Sequence, residues 1–193
     1  MATLLLAALA GGSSTVALRL AGSMLALQIS IGALNDLVDA DLDRGRKPGK
    51  PIPRGVVTTS EAAMVAIIGL AVGLALSAPS GAPTVLVAAA GAGCGYAYDL
   101  RLSRTGWSWL PLAAALPLVP LYAWLGATGT LPGELVAIMP AGLLAGAALA
   151  LANGLADLER DRAAGTAAAV VRIGPTPAWA LHTTALGGAV VIA

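Results

Sequence analysis

Long apolar stretches alternate with short polar connections along almost the whole chain. A membrane-spanning helix needs about 20 mostly apolar residues. Scanning for such segments gives a partial span at 1–10 and fuller ones at 15–38, 60–77, 83–98, 109–126, 133–156 and 175–193. The pattern predicts an all-α, polytopic transmembrane helical bundle, embedded in the lipid bilayer as a multi-pass protein. The chain starts and stops inside apolar segments, so a part of a larger membrane domain is expected.

Composition supports the membrane reading. Hydrophobic residues make up 58% of the chain and charged ones 11%, whereas a soluble domain carries about 25% charged residues. There are 24 glycines and no phenylalanine, and small residues let helices approach closely in lipid. Cys94 stands alone, so neither an internal disulfide nor a cysteine metal site is expected. A net charge of +1 makes no case for a nucleic-acid partner. No cleavable signal peptide is expected, because no basic region precedes the first apolar residues.

Basic residues set the orientation. Arg44, Arg46, Lys47, Lys50 and Arg54 lie in one connection, Arg101 and Arg104 in another, and Arg160, Arg162 and Arg172 in a third. The intervening loops at 78–82 and 127–132 carry none, and only Arg19 breaks the pattern. The positive-inside rule places the three charged connections in the cytoplasm. Trp107, Trp109, Trp124 and Trp179 sit near span ends, as interfacial aromatics do.

Acidic residues collect on the same side, and charge bias does not explain them, because acids contribute little to orientation. At about 100° per residue on a helix, Asn35, Asp36, Asp39 and Asp43 fall within roughly 100° of arc, while Asp41 points nearly opposite. Asn153, Asp157 and Asp161 form a second stripe within roughly 80°, and Glu159 points away. The stretches beginning at Asn35 and Asn153 both read N-x-L-x-D-x-x-x-D-R. Each follows a long apolar span, which suggests an internal pseudo-repeat with the stripes facing a shared cavity.

Carboxylates held close together repel one another and call for a cation. Oxygen donors without His or Cys favour a hard ion such as Mg2+, which keeps several waters and completes its shell with substrate phosphate. The bases that follow the acids supply partners for that phosphate. A ligand with a diphosphate head and a hydrocarbon tail suits such a cradle opening into an apolar bundle.

At this point the sequence resembles the UbiA-type family of intramembrane polyprenyl transferases. The family's N-D-x-x-D-x-x-x-D motif is matched by Asn35, Asp36, Asp39 and Asp43. Its K-P-x-R-P-x-x-x-G stretch resembles Lys47 to Gly55, with Lys50 where Arg is usual. Its second motif, D-x-x-x-D, is matched by Asp157 and Asp161, with Gly165 and Gly174 following. The resemblance implies a single transmembrane prenyltransferase domain over 1–193, holding about six to seven of about nine spans. It implies prenyl transfer from an isoprenyl diphosphate donor to an acceptor, aromatic or lipid precursor, at the cytoplasmic face of the cell membrane. Two Mg2+ ions are implied, one held by Asn35, Asp39 and Asp43 with Asp36 in support, the other by Asp157 and Asp161. Lys47, Lys50, Arg101 and Arg104 are the implied diphosphate ligands, and Tyr96, Tyr98 and Asn153 the implied prenyl or acceptor pocket. Asp99 could assist deprotonation or pair with Arg101.

Two other readings stay open. A transporter accounts for repeats and polar groups, but its site usually lies near the bilayer midplane. A scaffold with a carboxylate cation site and no chemistry leaves the Pro-rich basic loop unexplained. Elsewhere, Thr58 with Glu61 fits a capping box. Arg19 and Gln28 are expected to face the bundle interior, His182 to pack or make an interhelical hydrogen bond rather than act in catalysis, and Glu134 to start a helix.

Overall fold

The computed structural model describes residues 1–44, 47 and 49–193. Arg46 and Pro48 of the basic stretch lie outside the described residues. Every regular element among the described residues is helical, as lipid demands of a chain that must satisfy its backbone internally. The helices are α1 (Ala2–Leu9), α2 (Ser14–Val38), α3 (Ala40–Asp43), α4 (Thr59–Ser77), α5 (Ala82–Ala97), α6 (Leu110–Thr128), α7 (Gly133–Ala137), α8 (Met139–Ala156), α9 (Leu158–Ala163), α10 (Ala169–Ile173) and α11 (Pro175–Ile192). A 3-10 turn, Ala78–Ser80, extends α4, and a π-turn, Tyr98–Leu102, ends α5.

Among the described residues four helices are long and apolar enough to cross a membrane: Ser14–Val38, Thr59–Ser80, Leu110–Thr128 and Met139–Ala156. Two expected spans fall outside that set. Helix α5 has 16 residues, short of the usual length, and α11 carries Thr176, His182, Thr183 and Thr184 among its 18 residues. The expected span at 133–156 divides at Ile138, whose backbone sits at φ −88°, ψ 0°. Pro140 follows within the first turn of α8. It has no N–H to continue the hydrogen-bond ladder from α7, and its ring crowds the carbonyl four residues back.

The chain folds into two compact units, Met1–Ala92 with Ala123–Gly129, and Gly93–Tyr122 with Thr130–Ala193. In the first, α2 packs along α4 through small residues. The buried positions of α4 are Ala62, Ala66, Gly69, Gly73 and Ser77, while Met64, Ile67, Ile68 and Val72 are exposed. Small residues inside and large apolar ones outside is the arrangement of a helix in lipid, where close backbone approach replaces the hydrophobic effect. Ser23 Oγ donates to the Gly73 carbonyl at 2.7 Å and lies 2.9 Å from Ser77 Oγ. Ser30 Oγ donates to the Ala66 carbonyl. Arg19 donates to the Leu76 carbonyl at 3.1 Å and to Ser80 Oγ at 2.7 Å. It thus satisfies the open carbonyl end of α4 and is a structural cation. Gln28, expected inside, is exposed, one position past buried Leu27.

The α2–α4 seam makes a graded prediction. A Cβ on Gly69 would lie 2.8 Å from the Ala26 carbonyl oxygen, whereas one on Gly73 would meet the Leu27 side chain at 2.6 Å. Backbone cannot step aside, but a leucine can change rotamer. Gly69→Ala should therefore destabilise the protein in detergent by about 1 kcal/mol more than Gly73→Ala, within the usual range for overpacking. Equal midpoints in a denaturation series would contradict this.

In the second unit α11 packs along α8. His182 Nδ1–H donates to the Ala148 carbonyl at 2.8 Å, and its ring meets Trp179 edge-on at 5.5 Å, the interhelical bond expected. The core here is Leu151, Leu158, Val170 and Ala178. Gly174 ends α10 at φ 83°, a conformation that costs glycine little, and the chain turns directly into α11.

Candidate functional site

Both acidic motifs sit where a long helix ends. Helix α2 stops at Val38, the backbone kinks at Asp39 (φ −90°, ψ 0°), and α3 follows. Helix α8 stops at Ala156, Asp157 takes φ −96°, ψ 0°, and α9 follows. The hydrogen-bond rhythm survives each kink: Asp39 N–H donates to Asn35 O at 3.0 Å and Asp43 N–H to Asp39 O at 2.9 Å. Asp157 N–H donates to Asn153 O at 3.0 Å and Asp161 N–H to Asp157 O at 2.9 Å. The repeat seen in the letters is therefore also a repeat of backbone geometry. Each stripe is a kinked helix rather than the straight one expected.

In the first unit the loop after α3 folds back. Ile52 is buried with Ala40 of α3 and Ala62 of α4, and Val57 packs against them. Gly55, at φ 71°, closes the turn by donating its N–H to the Ile52 carbonyl at 2.9 Å. This anchoring brings Lys50 onto the acids. Its Nζ lies 2.8 Å from Asp36 Oδ1, 2.8 Å from Asp43 Oδ2 and 3.5 Å from Asn35 Oδ1. Lys47 Nζ is 3.2 Å from Asp43 Oδ1. Asp43 is buried, and burial pushes its carboxyl up. The hydrogen bonds and charges of Lys50 and Lys47 outweigh that and hold it below the usual carboxylate value. Burial likewise pushes Lys50 down, and Asp36 and Asp43 more than reverse it, so its ammonium is held above the usual lysine value. The sequence marked both lysines as phosphate ligands; here they neutralise the acids.

Asp39 is half-buried at the kink. Asp41 points away as expected, its side chain 93% exposed and 3.5 Å from Arg44. In the second unit Arg160 pairs with Asp157, and Glu159, 87% exposed, lies 3.0 Å from Arg162. Asp161 is half-buried and Asn153 exposed.

Arg101 lies in the π-turn that ends α5, and Arg104 just beyond it; both are exposed, and Asp99 in the same turn is buried. One-turn π segments occur often at functional sites. The loop is tied to the segment that follows the second acidic motif. Ala167 N–H donates to the Arg104 carbonyl at 3.1 Å, and Ala169 N–H to Ser108 Oγ at 3.1 Å. Within this unit, then, the middle-loop bases and the second motif share one scaffold, which sequence spacing could not reveal. Tyr96 is half-buried and Tyr98 39% exposed. A cavity of about 550 Å3 lies in this unit, walled by Trp109, Leu151, Ile173 and Leu181 with Arg172 as its charged member. Tyr96, Tyr98 and Asn153 are not among its lining residues.

Among the described residues no three Asp, Glu, His or Cys side chains stand together as a ready metal cage. The donors available are amide and carboxylate oxygens, and an ammonium is already seated among Asn35, Asp36 and Asp43. The set fits a hard cation.

Comparison with known proteins identifies the family and the fold. Residues 1–193 match the UbiA prenyltransferase family. A chloroplastic chlorophyll synthase of Oryza sativa subsp. japonica is 30% identical over 158 residues, 76% of this chain and 42% of that protein. A digeranylgeranylglyceryl phosphate synthase of Metallosphaera sedula is 36% identical over 74 residues, 38% of this chain and 26% of that protein. The chain thus spans less than half the length of these relatives. A UbiA homolog from Archaeoglobus fulgidus, solved bound to GPP and Mg2+, superposes with a TM-score of 0.86 at 22% identity, covering 99% of this chain and 71% of that one. The apo UbiA homolog from Aeropyrum pernix K1 gives 0.81 at 21%, covering 99% and 74%. The all-α fold expected from the sequence is the fold of these structures.

Proposed function

The chain belongs to the UbiA prenyltransferase family, and on that footing we propose that it transfers a prenyl group from an isoprenyl diphosphate to an acceptor, with Mg2+, at the cytoplasmic face of the cell membrane. The observation that carries this reading is the seating of an ammonium among Asn35, Asp36 and Asp43. Oxygens of the first motif converge on a cation at the end of an apolar helix. The two units are taken as parts of one transmembrane prenyltransferase domain, since one family match runs through both.

Asn35, Asp39 and Asp43 hold one ion, with Asp36 in support, and Asp157 and Asp161 hold another. Bound Mg2+ supplies Lewis-acid charge to the diphosphate oxygens. Lys47, Lys50, Arg101 and Arg104 bind the diphosphate and stabilise its charge as the allylic carbon–oxygen bond breaks, the electron pair leaving with oxygen. Tyr96 and Tyr98 offer π faces to the allylic cation, and Asn153 is assigned to the same prenyl or acceptor site. Apolar walls keep water from quenching the cation before the acceptor's electron pair attacks and a proton departs. The acceptor is an aromatic or lipid precursor.

A transfer assay tests this. Several allylic diphosphates are paired with a panel of aromatic and phospholipid-precursor acceptors. Prenylated product and diphosphate should appear together, vanish with chelator and return with Mg2+. A folded protein that binds metal but releases no diphosphate from any donor is instead a transporter or scaffold.

A further inference from the structure

Lys50 is placed unlike an ordinary phosphate ligand. Its ammonium touches two separate carboxylates at 2.8 Å each and has Asn35 Oδ1 at 3.5 Å. Lys47, by contrast, meets Asp43 from the i+4 position, at 3.2 Å. The Lys50 side chain is 22% exposed and that of Asp43 5%, so water screens this contact poorly. Ile52, two residues on, is buried against Ala40 and Ala62, which fixes the loop that carries the lysine.

An ammonium with three donors is compact and behaves as a point charge, unlike the flat fork of a guanidinium. It can therefore occupy the seat of an ion. Mg2+ draws its oxygens in to about 2.0–2.1 Å and repels a neighbouring ammonium, so the two compete for Asp36 and Asp43. We propose that Lys50 is the resident counter-ion of the first acidic motif, and that a divalent cation binds there only by displacing it. This rests on the Mg2+ reading above.

Two consequences follow. Without metal, Asp36 and Asp43 stay neutralised, so the loop and the end of α2 hold their places. With metal, Lys50 is released and its donors become available to diphosphate oxygens. Metal and diphosphate then favour each other's binding, because each removes a cost the other would meet.

The test uses Mn2+ alone, followed by electron paramagnetic resonance, on the purified protein in detergent without diphosphate. Lys50→Gln should bind Mn2+ about tenfold more tightly than the wild type, within the range common for coupled sites. Should the variant fail to fold, the wild type decides: acylation of Lys50, read by mass spectrometry, should accelerate when Mn2+ is added. Unchanged or weaker Mn2+ binding by the folded variant, or Lys50 labelling indifferent to saturating metal, overturns the proposal. Neither readout requires prenyl transfer. A protein that releases Lys50 to metal but transfers nothing sinks the enzymatic reading alone. One that transfers prenyl groups while both readouts stay still sinks this inference alone.

Discussion

Replacing Asp39 or Asp157 by alanine should lower Mg2+-dependent prenyl transfer by about a hundred- to a thousandfold, the loss typical when one preorganised electrostatic group is removed, while leaving the protein folded and inserted. The two residues occupy the same place in the two motifs, each at the kink between a long helix and a short one. Neither side chain caps the helix that follows, so alanine removes no cap. Asp157 pairs with Arg160 at a site where both side chains are about half exposed, and such pairs contribute at most about 1 kcal/mol. Alanine also accepts the φ near −90° of both kinks. Stability and chemistry should therefore separate at Asp157: a detergent melting curve close to wild type, transfer nearly gone. Full activity in both variants would remove the assignment of the stripes to metal binding.

Gly146→Ala should be the most damaging single methyl in the second unit. A Cβ there would lie 2.6 Å from the Leu112 carbonyl oxygen and 2.7 Å from Ala113 Cα. Both are backbone atoms of α6, so no rotamer change relieves the clash and α8 must move. Overpacking of this kind costs about 1–3 kcal/mol. Since α8 runs on into Asp157, activity should fall with stability. Gly187→Ala is the control. Nothing lies within 4 Å of its added Cβ, and alanine in place of a helical glycine is worth up to about 1 kcal/mol. If the two variants melt alike, the backbone approach of α8 to α6 is not what holds this part of the fold.

Much of the helical framework was visible in the chain because lipid imposes length and apolarity. Thr58 and Glu61 do form the capping box that starts α4, with Thr58 N–H donating to Glu61 at 2.8 Å. Pro140 shows where such reading fails. Pro117 and Pro120 lie inside α6 without ending it, whereas the chain breaks at Ile138 just ahead of Pro140. A proline inside a helix removes a hydrogen bond, whereas one in the first turn removes none, and the letters do not say which place each proline takes.

The candidate site divides in the same way. Oxygen donors at helical spacing, repeated after two apolar spans, are properties of the letters, and they select a hard cation whatever the fold does in detail. That Asp41 and Glu159 point away also follows from 100° per residue, and both are exposed. The partner of the acids was not legible. Lys50 lies well beyond Asp36 in the chain, within the Pro-rich stretch, and meets it where Ile52 is buried against α3 and α4. Nor could spacing show that the Arg104 loop is hydrogen-bonded to Ala167. Sequence alone determined the all-helical, apolar character of the chain and most of its long helices, because those depend on local composition and periodicity. Tertiary structure alone decided that Lys50 meets those acids, because a contact between distant residues is set by packing.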